Sequence, residues 1–141
     1  MKHSTKTIIF KGLSVLPSQL GYSLYHFLQN IGGNNKLEYK MESAKNTFKT
    51  VVGILDKNNI KLAHKNIAEL GSGWVPIFPY QLITEGKVKK VDTYDVNEHF
   101  SQKEIEQLNA FYANQFDCVF EKKGKYNLLK GVSYFPKTTI C

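Results

Sequence analysis

The stretch from Asn66 to Phe100, NIAELGSGWVPIFPYQLITEGKVKKVDTYDVNEHF, constrains the fold of this chain more than any other. NIAEL has the length and character of a short strand. Gly71 and Gly73 then break it, and a largely apolar segment runs on to Gly86. After that, KVKKVDTYDV returns to strand character with Val88, Val91, Tyr94 and Val96 as its apolar positions. Strand, helix, strand in this order is the pattern of a right-handed parallel βαβ unit, because parallel neighbours need a crossover between them. The reading predicts strands over Asn66–Leu70 and around residues 87–96, with a helix starting after Gly73 and stopping at Gly86.

The flanking segments supply helices. LPSQLGYSLYHFLQNIGG has Pro17 near its start and Gly32 and Gly33 past its end, which is helix punctuation, with Leu20, Leu24, Phe27, Leu28 and Ile31 at helical spacing. A second helix is predicted from about Glu38 to Asp56, where Met41, Ala44, Phe48, Val51, Val52 and Leu55 form one stripe and lysines the other face. Ser101 followed by Glu104 is a capping box, so a helix should begin there and bury Ile105, Leu108, Tyr112 and Phe116. EKKGKYN reads as a polar connector, and GVSYF, before Pro136, as a third strand. The division expected is an N-terminal helical region over 1–59 and an α/β domain over 60–141.

Composition excludes several classes. The apolar fraction is 42% and no run approaches the ~20 apolar residues of a membrane-spanning helix. No secretory leader is expected, since Lys11 interrupts the apolar stretch and no small-residue cleavage site follows cleanly. Cys118 and Cys141 are far apart and read as reduced thiols, so the expected compartment is cytoplasmic. The net charge is +7, yet every basic residue among the 19 is a lysine. Lysine is a point charge suited to unspecific phosphate contact, whereas arginine carries the planar fork that reads bases. The charge therefore reads as solvated surface, with no specific nucleic acid and no membrane expected as partner.

In an open parallel sheet, ligands bind outside the carboxyl ends of the strands, and both informative segments sit there. Gly71 and Gly73 remove the Cβ atoms that would keep backbone and ligand apart. Asp95 closes the second strand 22 positions after Gly73, a spacing that suits a carboxylate accepting hydrogen bonds from ribose hydroxyls. A pyrophosphate site of the G-x-G-x-x-G type wants a third small residue where this chain has Pro76, which lacks an N–H, and Trp74 and Val75 add bulk. Glu69 sets a carboxylate at the mouth of the loop, poor for phosphate and good for an ammonium or sulfonium. The ligand these residues favour carries ribose but little anionic charge.

AELGSGWVP followed by VDTYDVN resembles the first two motifs of class I S-adenosylmethionine-dependent methyltransferases, over roughly residues 60–136. The resemblance implies a Rossmann-like parallel sheet, here an incomplete one of about three strands, and S-adenosylmethionine as cofactor. It implies that Glu69, Gly71, Ser72 and Gly73 line the methionine portion, that Asp95 holds the ribose and that Val96 touches the adenine, with Trp74 as a neighbour. Val75 stands where the family has its third glycine. The family domain has about seven strands, so the chain is expected to be its cofactor-binding front half, without the acceptor-side residues. The catalytic residues and the small-molecule or sugar-like acceptor are not named by the sequence.

Two alternatives from other classes stand beside this reading: an NAD(P)-dependent oxidoreductase, against which Pro76 argues, and a basic RNA-binding module using lysines and tyrosines. His26 and His99 read as surface or packing histidines, and Asp92 as a solvent-facing residue inside its strand. Since the first family strand is central, NIAEL is expected to have an unpaired edge, which invites self-association.

Overall fold

The computed structural model describes residues 37–71 and 73–138. The chain divides after Tyr39, and the architecture below belongs to the unit that begins at Lys40. The helix expected before residue 37 lies outside the described residues, as do Ser72 and Cys141.

Helix α1 spans Leu37–Lys57. Its covered positions include Met41, Ala44, Phe48, Val51, Val52 and Leu55, the stripe expected from helical spacing, while most of its lysines are exposed. Phe48 is buried with Leu82, Val88 and Val91, and Val52, Leu62, Ile67, Phe78 and Ile83 pack around them. Full burial of a side chain of this size contributes about 1.5–3 kcal/mol.

Strands β1 (Asn66–Leu70) and β2 (Lys90–Asp95) pair in parallel, joined through helix α2 (Ile77–Thr84). The register sets Ile67 beside Val91, Glu69 beside Thr93 and Leu70 beside Tyr94. Helix α3 (Gln102–Gln115) begins at the expected cap: Ser101 Oγ accepts from the Glu104 N–H at 3.5 Å. Ile105, Leu108 and Tyr112 are its buried stripe, and Phe116 is half-buried.

The expected connector EKKGKYN is instead the tip of an antiparallel hairpin, β3 (Phe120–Lys123) and β4 (Tyr126–Leu129). Its turn is Gly124–Lys125, with Gly124 at φ +62°, a backbone region that glycine occupies without steric cost. Lysines fill the tip because it projects into solvent, and this hid the apolar residues at its base: Tyr126, Leu128 and Leu129 are buried.

Strand β5 (Val132–Pro136) pairs in parallel with β2, giving the order β1-β2-β5. The architecture of the described residues is thus mixed α/β, a three-stranded parallel sheet with a two-stranded antiparallel hairpin. One sheet face carries Val91 and Val132, both fully buried; the other exposes Leu70 at 68% and Phe135 at 41%. Val96, just past β2, is 69% exposed and so does not belong to the strand's buried set. Among the described residues no helix is long and apolar enough to cross a membrane.

Candidate functional site

The parallel register carries three side chains into one row: Glu69 on β1, Thr93 on β2 and Tyr134 on β5. Partners in register share a sheet face, and residues two apart along a strand do as well. Asp95, two residues beyond Thr93, therefore lies one step further toward the carboxyl end on that same face. Thr93 is fully buried, Asp95 is 8% exposed and Glu69 half-buried, so the acids are fixed within the fold.

Thr93 Oγ1 donates to Glu69 Oε2 at 2.5 Å. The Glu69 carboxyl is held above the usual carboxylate range, first because burial penalises its charged form; Asp95 adds like-charge repulsion, while the Thr93 bond opposes both. Two acids near one strand edge, one of them deprived of solvent, make a local environment that favours a cationic or proton-donating group.

Beyond Glu69 the backbone turns through Gly71 at φ +79° and Gly73 at φ +70°. The Gly71 N–H extends the ladder by donating to Tyr94 O at 2.9 Å. A Cβ placed on either glycine would meet nothing within 4 Å, so the backbone sign, rather than crowding by the protein, is what calls for glycine here. Among the described residues, nothing closes on either glycine position. Pro76 then caps α2 and is buried.

The loop after β2 folds back over Asp95. The Asn97 N–H faces Asp95 Oδ1 at 3.4 Å, and His99 Nε2 stands 3.6 Å from the same oxygen. Tyr134 fixes this loop from β5: its hydroxyl donates to Asn97 O at 3.1 Å and accepts from the His99 N–H at 3.0 Å. The Phe100 ring stacks on Tyr134 with centroids 3.7 Å apart. From the β1 side, Trp74 lies against the His99 ring at 5.8 Å between centroids, inclined by 31°.

Of the residues singled out from sequence, the structure gathers Glu69, Gly71, Gly73, Trp74 and Asp95 at one end of the β1–β2 pair. Val96 follows Asp95 with its side chain largely in solvent. Asp92 is on the opposite face, half-buried and ion-paired with Lys90 at 2.7 Å. Sequence reasoning missed Thr93, His99 and Tyr134. Thr93 had a signal in its period-two spacing from Asp95; the other two depend on chain segments meeting across the sheet. Among the described residues no group of three or more His, Cys, Asp or Glu is arranged to hold a metal ion.

The arrangement offers carboxylate acceptors on rigid strand ends above the glycine turn. Asp95 can accept from a pair of hydroxyls, and Glu69 can face a cation. Compared with protein families, with characterised proteins and with solved structures, the chain matches none.

Proposed function

We propose that the chain binds S-adenosylmethionine on a Rossmann-like sheet and serves a methyltransferase. The observation that carries this reading is the placement of Glu69 and Asp95 on adjacent parallel strands, beside a turn made by two positive-φ glycines. Glu69, Gly71 and Gly73, with Ser72 between the glycines, hold the methionine portion. Asp95 accepts from the ribose hydroxyls, with Trp74 and Val96 as neighbours. Hydrogen bonds of this charge-assisted kind contribute about 1.5–3 kcal/mol each.

When bound, S-adenosylmethionine supplies an electrophilic methyl group on a sulfonium. The chain's contribution is to hold and orient it, and alignment with an acceptor accounts for much of the acceleration in such reactions. Glu69, raised by burial and by Asp95, gains from a cationic neighbour in a way it does not from a phosphate. A dinucleotide pyrophosphate also finds a proline, without an N–H, at the start of α2.

Calorimetric titration with S-adenosylmethionine, S-adenosylhomocysteine and NADH tests the proposal. Saturable heat with the first two and none with NADH is expected; binding of NADH alone overturns it in favour of an oxidoreductase, and a folded chain that binds none of them overturns it outright.

A further inference from the structure

We propose that the amino end of the sheet carries a second ligand site, a pocket for an apolar monocarboxylate set between α2, α3 and the hairpin. Its volume is about 420 Å³, within the range of about 300–1,000 Å³ typical of small-molecule sites. Chain order fixes its position. Ile83 and Lys87 stand where α2 ends and the chain approaches β2, and Leu129 and Lys130 where β4 ends and the chain approaches β5. Because β2 and β5 are parallel, both approaches lie at their amino ends, opposite the cleft formed by the glycine turn and Asp95.

The walls suit a hydrocarbon or aromatic body. Leu129 is buried, and Ile83 and Phe116 are half-buried, so an apolar ligand seated here removes surface from water on both partners. The third wall is the stretch that follows α3, with Asp117 and Cys118.

The charges select the head group. Lys87 and Lys130 both line the pocket, and neither forms an ion pair with a described residue. Their backbones are anchored on separate elements: the His64 N–H donates to Lys87 O and the Lys130 N–H donates to Val119 O, each at 2.8 Å. Asp117 is the one acid among the lining residues. Two lysines against one aspartate leave a single positive charge, which matches a monoanion and disfavours a dianion such as a phosphate monoester. The Thr84 hydroxyl, also in the lining, already donates to Tyr80 O at 2.8 Å, so the strong side-chain donors left for the anion are the two ammonium groups. Burial first, and Asp117 second, hold the Cys118 thiol above its ordinary range, so it stays neutral beside the anion.

Nothing in this site depends on the reading of Glu69 and Asp95. The experiment uses octanoate as the probe and 1-octanol as its uncharged counterpart. In the full chain carrying Cys141→Ser, Cys118 is the only thiol, so the rate of its modification by N-ethylmaleimide reports on this pocket. Octanoate is expected to slow that modification saturably, at the concentrations where calorimetry shows it binding, and octanol is expected to bind more weakly. Affinity for octanoate should fall about threefold in Lys87→Gln and in Lys130→Gln, the size expected for an exposed charge pair. No saturable binding of octanoate, or binding that leaves the Cys118 rate unchanged, overturns the site. Octanol binding as tightly as octanoate, or affinity unchanged in both lysine variants, overturns the selection of a carboxylate. Inorganic phosphate protecting Cys118 as well as octanoate does overturns the need for an apolar body.

Discussion

Thr93 and Glu69, on neighbouring parallel strands, are joined by a hydroxyl-to-carboxylate hydrogen bond of 2.5 Å that restrains the Glu69 side chain. Replacing Thr93 with valine keeps the shape and removes the donor. Glu69 then keeps its burial but loses the contact that opposes it, so its carboxyl should rise further. The variant is expected to lose about 1–2 kcal/mol of stability at neutral pH, read from urea unfolding. An unchanged midpoint would mean that Glu69 finds solvent as soon as Thr93 lets go.

Glu69 also predicts a pH dependence with a definite sign. Its folded carboxyl titrates above the ordinary value of 4.5, so the folded chain binds this proton more tightly than the unfolded chain does. Its contribution to stability is therefore full below 4.5 and is lost as the pH rises through the folded value. Glu69→Gln, which has no such proton to lose, should remove this slope and make the protein more stable than the native chain at neutral pH. Thermal unfolding across a pH series checks it, and parallel profiles for the two chains would contradict it.

Asp95→Ala is expected to weaken S-adenosylmethionine and S-adenosylhomocysteine binding by about tenfold or more, the loss of charge-assisted bonds to the ribose. Calorimetry gives the affinities directly. Unchanged affinity would remove Asp95 from the ribose position while leaving the fold untouched.

Tyr80 provides a test of the core away from the cleft. Its hydroxyl, fully buried, donates to Asn109 Oδ1 at 2.7 Å and accepts from the Leu129 N–H at 3.0 Å, tying α2 to both α3 and β4. Tyr80→Phe leaves a buried N–H without its acceptor and should cost about 1–3 kcal/mol. Hydrogen exchange at the Leu129 amide should accelerate more than at other β4 amides; uniform acceleration would point to a general loss of stability instead.

The elements that announced themselves in the sequence are those whose signal is local. The stripe through Met41, Phe48 and Leu55 and the Ser101–Glu104 cap lie within a few turns of chain, and the alternation in VDTYD follows from a strand with one buried face. Glu69 and Asp95 were legible together because a parallel pair must bring its carboxyl ends to one edge. The hairpin was not: its polar tip outweighed Tyr126 and Leu128, whose burial depends on α3 and the adjoining elements. His99 looked like a surface or packing residue for a similar reason. What makes it part of the cleft is Trp74, 25 positions earlier, and Tyr134, 35 positions later.

That last dependence bears on when the cleft can come into being during folding. The loop over Asp95 is held by the Tyr134 hydroxyl, which serves Asn97 and His99 at once, and by the Tyr126 hydroxyl of the hairpin, which bonds to Glu98 and to Phe100 O. Residues 66–95 contain the glycine turn and both acids, yet the strand that pins the loop closes only after the hairpin has been passed. A nascent chain that has emerged as far as Asp95 has the acids without the clamp. Contacts across such sequence separations form late because their loop closure costs entropy before it is rewarded, so the cleft should be among the last features of the sheet to acquire its native shape.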